Sequence, residues 1–281
     1  MKINLQTLMS DRDRFSMVSL YDFVQARAAQ EAGVDSLLVG DSLGMMLLGH
    51  SNTRPVTMEQ MISATQAVVR GAPSTYVVAD MPMGSYECGV TDALNNAFAL
   101  LKLGGADAVK IEGGASLAPV VRAMQESGVE VIGHVGLTPQ SLSVNSKYRI
   151  AGKTSEDVDR IASDVGALLA AGASSVLLEA VTREGSEEIC ATHQGARTAL
   201  MGIGAGAAPR GQLLLSYDIL GMSPEIHPKF APHFLEHSGN LAGEVAPMYD
   251  LMVSGFKAFH SAVTAGSFPS DPYTYTQNPG D

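Results

Sequence analysis

Val109-Lys110-Ile111-Glu112 is a short run in which apolar and ionisable side chains alternate. Laid out as a strand, it puts Lys110 and Glu112 on one face and Val109 and Ile111 on the other. Five more short apolar runs end at a polar residue: Val18-Ser19-Leu20-Tyr21-Asp22, Leu37-Leu38-Val39-Gly40-Asp41-Ser42, Val77-Val78-Ala79-Asp80, Val131-Ile132-Gly133-His134 and Val176-Leu177-Leu178-Glu179. Runs of this length, separated by helix-like stretches, read as buried parallel strands. An open doubly wound sheet shares that rhythm. Acids repeated at successive strand ends favour closure, because in a closed barrel all strand C-termini open onto one face. The fold expected is therefore α/β, a (β/α)8 TIM barrel.

The punctuation between the runs supports this reading. Thr57-Met58-Glu59-Gln60 and Thr154-Ser155-Glu156-Asp157 fit capping boxes, and Thr91-Asp92 can cap the pattern Leu94, Ala97, Phe98, Leu101. Gly33, Gly71, Gly104, Gly128 and Gly172 each close a helical pattern just before the next strand. Leu213 to Gly221 suits either an eighth strand or a short helix. Residues 1–265 are expected to form one barrel domain. Residues 266–281, with three prolines and almost no aliphatic side chains, are expected to form a mobile tail or an arm on a neighbouring subunit.

Composition limits the function classes. The chain has 281 residues, 46% of them hydrophobic, enough for the roughly 250 residues of a single barrel. Its net charge is −11, from 29 acids and 18 bases, which argues against a nucleic-acid surface or a basic membrane patch. An anionic small molecule must then be met locally, by a metal or a few placed cations. Two cysteines, Cys88 and Cys190, offer neither a disulfide framework nor a thiolate zinc site. The amino-terminal residues do not read as a signal peptide, and no apolar stretch reaches the roughly 18 residues of a membrane span. A cytoplasmic protein is expected.

The strand ends define a candidate site. Asp41, Asp80 and Glu112 are hard oxygen donors suited to Mg²⁺. Any one of them is equally well explained as a helix cap or an ion-pair partner; three on adjacent strands are less easily dismissed. Lys110 either pairs with Glu112 or neutralises a substrate carboxylate or a developing enolate. His134 and Glu179 share the strand-end pattern, and Glu179, behind an apolar run, suits proton transfer. Gly202-Ile203-Gly204-Ala205-Gly206 lies where barrels often bind phosphate, but glycines needed only for close packing explain it as well. His233 and His237 have zinc-binding spacing without a protease glutamate, and are expected to be surface histidines.

Together these residues resemble a known family. Val39-Gly40-Asp41-Ser42-Leu43-Gly44-Met45, Pro55-Val56-Thr57, Arg70-Gly71-Ala72-Pro73, Val109 to Gly114, Gly133 to Ser141 and Gly202 to Gly206 are similar, in order, to ketopantoate hydroxymethyltransferases. That family is in turn similar to the phosphoenolpyruvate mutase and isocitrate lyase barrels. The resemblance implies hydroxymethyl transfer from 5,10-methylenetetrahydrofolate, as co-substrate, to 3-methyl-2-oxobutanoate, giving 2-dehydropantoate for pantothenate and coenzyme A synthesis. It implies Mg²⁺ on Asp41 and Asp80, with Glu112 as a further or water-mediated ligand. It also implies that Asp41, Ser42, Asp80, Lys110 and His134 contact the keto acid, that Glu179 moves the proton, and that the protein is a homo-oligomer, typically a decamer.

The chain departs from the family pattern in several places. Arg210 replaces an expected aspartate before Gly211-Gln212, Thr182 an expected proline, and Arg54 an aliphatic residue before Pro55. The stretch from Glu179 to Gly202 is longer than usual and lacks an Ile-Pro. Several of these positions are expected on loops that shape the second substrate's site. The alternatives are a paralogue acting on another 2-oxo acid, or a carbon–carbon lyase or phosphonomutase on the same barrel. Such lyases use a loop cysteine, which the region after His134 lacks.

Overall fold

The structure is a computed structural model that describes residues 2, 5–141, 149–193, 200–223, 228–237 and 247–277. Eight parallel strands close into a barrel in sequence order: β1 (Phe15–Ser19), β2 (Ser36–Val39), β3 (Tyr76–Asp80), β4 (Ala108–Glu112), β5 (Val131–Gly136), β6 (Ser175–Glu179), β7 (Met201–Ile203) and β8 (Gly211–Leu215). Helices between the strands cover the outside. This is the (β/α)8 architecture expected from the sequence.

Alternation along the strands separates two cores. Phe15, Met17, Leu38, Tyr76, Val78, Ala108, Ile132, Leu177, Met201 and Leu213 fill the barrel interior, where Leu5, Leu8 and Met9 of the helix Leu5–Asp11 join them. Their strand neighbours, such as Leu37, Val77, Val109 and Val176, point outward and pack under the helices. The inward set ends at the C-terminal rim with Ser19, Asp80, Lys110, Glu112, His134 and Glu179. Register binds these ends together: Asp80 pairs with Lys110, Glu112 with His134, and Gly136 with Glu179.

Most of the local punctuation is as expected. Thr57 and Gln60 exchange side-chain bonds to each other's backbone in a complete capping box; the Thr154 box is half formed, its hydroxyl accepting from Asp157 N while the Asp157 carboxylate accepts from Gly152 N instead. The Leu213 to Gly221 ambiguity resolves into both readings, because β8 ends at Leu215 and the helix Ser216–Ile219 follows directly.

Several expectations change. The helix assigned to a Thr91-Asp92 cap begins at Val90, after Gly89, whose φ of 130° turns the chain there. Asp22 is not a strand end: β1 stops at Ser19, and Asp22 caps the helix Phe23–Glu31 by accepting from Gln25 N. Gly71 ends its helix from inside it, and an added Cβ would lie 2.3 Å from Phe23 O, so it serves close helix packing.

Arg210 is the departure whose placement changes most. It precedes β8 at the N-terminal end of the barrel, and its guanidinium donates to the carbonyls of Met9, Arg12 and Asp13. It therefore ties the amino-terminal segment to the floor, away from the rim. Thr182 caps the helix Arg183–Thr192, and its hydroxyl donates to Gly152 O. Arg54 Nε reaches Met83 Sδ at 3.3 Å. The lengthened stretch before Gly202 lies partly in 194–199, outside the described residues.

Residues 266–277, expected in a tail, lie against the barrel. Phe268 is buried against Phe234 and Phe259, with centroids 5.5 and 5.8 Å away, and Arg183 N donates to Tyr275 O at 2.8 Å. Among the described residues no helix is long and apolar enough to cross a membrane.

Candidate active site

The strand ends line a cavity of about 500 Å³ at the C-terminal rim. Asp41, Ser42, Asp80, Lys110, Glu112, His134 and Glu179 all face it, so every site residue read from the sequence is brought to one place. Asp80 sits at the centre of the contacts. Its Oδ2 accepts from Asp41 N at 3.0 Å, and its Oδ1 lies 3.0 Å from Lys110 Nζ. That second contact is an ion pair without hydrogen-bond alignment.

From Lys110 a polar chain crosses the rim. Lys110 Nζ is 3.3 Å from His134 Nδ1, and His134 Nε2 is 2.9 Å from Glu179 Oε2, although the Nε2 contact is out of line for a full hydrogen bond. An ammonium can only donate, so Nδ1 is the acceptor and the ring proton sits on Nε2, facing Glu179. Burial, then the Lys110 charge, lowers the His134 pKa, which agrees with a neutral ring. Glu179 retains 21% side-chain exposure and so reaches the open part of the cavity.

Gln140 is the residue whose role the sequence reading missed. It follows Pro139 after β5 and is buried. Its Nε2 donates to Asp41 Oδ2 at 2.8 Å and to Met81 O, its Oε1 accepts from Tyr86 OH at 2.6 Å, and its backbone N donates to Glu112 Oε1 at 2.8 Å. One residue thus locks two carboxylates and a tyrosine, through its side-chain and backbone amides. The only available signal was a polar residue inside the Gly133 to Ser141 motif. Ser42 is held in turn by Tyr21, with the two hydroxyls 2.8 Å apart.

The charges are unbalanced. Burial raises the pKa of Asp41, and burial together with the Asp41 charge pushes Asp80 up to about 7. Burial, reinforced by Asp41 and Glu179, pushes Glu112 up to about 8. Burial alone would lower the Lys110 pKa, but Asp80, Asp41 and Glu112 outweigh it and keep the ammonium charged. That also makes Lys110 a poor Schiff-base nucleophile. Asp41, Asp80, Glu112 and Glu179 face Lys110, and Arg149 also lines the cavity among the described residues, so the acids still outnumber the cations.

This donor set fits a hard divalent cation. The fit rests on the unaligned Asp80 Oδ1, the adjacent Asp41 carboxylate and the charge deficit. Among the described residues no three His, Cys, Asp or Glu side chains converge as a closed cage. Mg²⁺ usually takes one or two carboxylates and completes its shell with water or substrate. Glu112 is less available, because its Oε1 already accepts from the amides of Gln140 and Ser141.

Two other motifs do not join the cluster as ligands. In the glycine loop, Gly204 has a φ of 62°, and an added Cβ would lie 2.7 Å from Phe230 Cδ1. Close packing accounts for it. The side chain of His237 is outside the described set, so the paired-histidine expectation lies there too.

The architecture and its rim define a class. The chain is similar in fold to the phosphoenolpyruvate mutase and isocitrate lyase barrels. It matches a 2,3-dimethylmalate lyase at TM-score 0.58 and 19% identity, covering 92% of each chain. It matches phosphoenolpyruvate phosphomutase from Streptomyces platensis subsp. rosaceus at TM-score 0.62 and 15% identity, covering 92% of this chain and 96% of that one. Within that class the assignment is narrower. The sequence model for ketopantoate hydroxymethyltransferase matches residues 2–271. The 3-methyl-2-oxobutanoate hydroxymethyltransferases of Moorella thermoacetica and Thermotoga neapolitana are 40% and 41% identical, over 96% and 95% of this chain and 96% and 94% of theirs. The chain belongs to the ketopantoate hydroxymethyltransferase family and is a hydroxymethyltransferase.

Proposed function

We propose that the protein transfers a hydroxymethyl group from 5,10-methylenetetrahydrofolate to 3-methyl-2-oxobutanoate, giving 2-dehydropantoate, with Mg²⁺ as cofactor. The observation that carries this reading is the continuous line from the Asp41–Asp80 pair through Lys110 and His134 to Glu179, on one face of one cavity. The relatives' names support 3-methyl-2-oxobutanoate as the acceptor, and the folate donor is part of the proposal.

In this reading Asp41 and Asp80 would hold the cation, and Glu112, with Oε1 committed to two amides, would act on it through water. The cation's contribution is to draw charge from the 2-oxo group, acidifying C3–H and stabilising the enolate by several kcal/mol. Lys110, fully charged between Asp80 and His134, meets the substrate's negative charge from the barrel interior. The Ser42 hydroxyl, fixed by Tyr21, orients the acid. Glu179 receives the C3 proton at a carboxylate oxygen, and His134 Nε2–H holds that carboxylate toward C3. A positioned base of this kind is worth roughly 10²–10⁴ in rate. The enolate carbon then bonds to the one-carbon unit of the folate as its C–N bonds break. One water supplies the hydroxyl oxygen and the protons taken by the freed nitrogens, and tetrahydrofolate leaves. The proposal includes a cytoplasmic location and assembly as a homo-oligomer.

The test follows deuterium exchange at C3 of 3-methyl-2-oxobutanoate without folate, with and without Mg²⁺. Exchange should require the metal and fall sharply in Asp80→Asn. Metal-independent exchange, or exchange unchanged by that substitution, refutes the mechanism.

A further inference from the structure

The end of β8 lies across the barrel from β4, and there the cavity changes character. Asp218, in the short helix after β8, lines the cavity yet is only 5% exposed. Among the described residues its carboxyl has no hydrogen-bond or ion-pair partner, and burial alone pushes its pKa up to about 7. An unpartnered buried carboxylate is costly unless something brings donors to it.

Apart from Tyr21, on which its charge acts, its surroundings along the β7–β8 rim are apolar and aromatic. Leu215 and Ile203 line the same part of the rim, and Phe230 and Tyr275 stand edge to face with centroids 6.0 Å apart. Gly204 creates the room for Phe230, since any Cβ there would strike its ring.

A five-carbon 2-oxo acid does not suit this end. It has no ring for the aromatic wall and no N–H for Asp218, and its own charge would be repelled. A cavity of about 500 Å³ is within the range that takes a drug-sized ligand, so an acid held near Asp41 and Lys110 leaves most of it open. The co-substrate of the proposed reaction has the missing features. Its pterin is a flat heterocycle whose N3–H and 2-amino group form a side-by-side donor pair, the geometry a carboxylate accepts bidentately. We infer that Asp218 is the pterin-recognition residue of the second substrate, accepting from N3–H and the 2-amino group while the ring lies against Phe230 and Tyr275. Asp218 thereby sets the one-carbon donor's identity, as Asp41 and Lys110 set the acid's.

The inference rests on the folate reading above, and the experiment separates the two. In Asp218→Asn the KM for 5,10-methylenetetrahydrofolate should rise at least tenfold, while that for 3-methyl-2-oxobutanoate moves less than twofold. Hydrogen bonds to a charged group, worth roughly 1.5–3 kcal/mol, set that scale. A readout independent of folding uses tetrahydrofolate and its analogue with a methyl in place of the 2-amino group, both as competitive inhibitors. The unsubstituted protein should bind the analogue at least tenfold more weakly, and Asp218→Asn should largely lose that discrimination. Tyr275→Ala should raise the folate KM selectively and serves if Asp218→Asn does not fold. A protein that uses methylenetetrahydrofolate, yet shows unchanged folate KM in these variants or no discrimination against the analogue, overturns the inference alone. A protein that cannot use methylenetetrahydrofolate overturns both readings.

Discussion

Replacing Asp218 with asparagine should stabilise the ligand-free protein at alkaline pH. The carboxyl is raised from 3.8 to about 7 by burial alone. That is about three powers of ten in proton affinity, or about 4 kcal/mol at about 1.4 kcal/mol for each. The sign follows from proton counting. Between about pH 4 and 7 the folded state holds a proton that the unfolded state has released, so stability falls as pH rises through that window and stays low above it. At pH 8 the ionised Asp218 therefore costs about 4 kcal/mol. Asparagine removes the charge but leaves a buried amide short of partners, at about 1–2 kcal/mol. The net gain is about 2 kcal/mol, or about 4 °C in melting temperature for a chain of this size. At pH 5 the two effects nearly cancel. Thermal unfolding of both proteins at pH 5 and 8, without metal or substrate, measures the difference. Equal destabilisation at both values would mean that Asp218 has a partner, and the argument from an unpaired carboxylate would fail.

Two further outcomes follow from the same contacts. Lys110→Met removes the cation 3.0 Å from Asp80 and should destabilise the protein by about 3–5 kcal/mol; adding Asp80→Asn should restore part of that loss in denaturant titrations. Strict additivity of the two substitutions would show that the pair is not coupled. Glu179→Gln should keep the KM for the 2-oxo acid within a few-fold and lower kcat by roughly 10²–10⁴, whereas a large rise in KM at unchanged kcat would make Glu179 a binding residue.

The barrel was legible because the strands carry two signals at once. Ala108, Lys110 and Glu112 alternate with Val109 and Ile111, and the inward set changes from apolar at the floor to ionisable at the rim. Hydrophobic pattern therefore gave the strand, and chemistry gave its direction. Residues beyond the strand ends carry no such period. Gln140 gains its role from where the loop after β5 happens to turn, and Asp218 from a helix of one turn. Tyr275 lies more than sixty residues after β7 and reaches the rim only because Arg183 N and the Phe268 cluster hold the chain there. Arg210 shows the converse. Its position before Gly211 is plain in the sequence, but whether that loop faces the rim or the floor depends on strand direction, and β8 begins at Gly211. A departure from the family pattern at the floor bears on stability, while the reacting groups lie at the opposite end.

In the proposed reaction, that polarity would let a chain of net charge −11 accept an anion. Overall charge acts weakly on a buried cavity at the rim, where exposed acids are screened within about 10 Å at ordinary salt. The buried residues decide the field. Lys110 keeps its proton because Asp80, Asp41 and Glu112 surround it, and those acids resist full ionisation because one lysine cannot neutralise them. In the proposed function a divalent cation held by Asp41 and Asp80 would resolve that conflict on the β2–β3 side and leave Lys110 to meet the substrate's charge. On the β8 side Asp218 has no cation paired with it among the described residues, and Lys229 lies over the Tyr275 ring instead, so under the proposal above the acid takes N–H donors. On the proposed function and the pterin inference, the two ends of one cavity would select an anionic acid and a donor-edged heterocycle, the pairing that hydroxymethyl transfer between them requires.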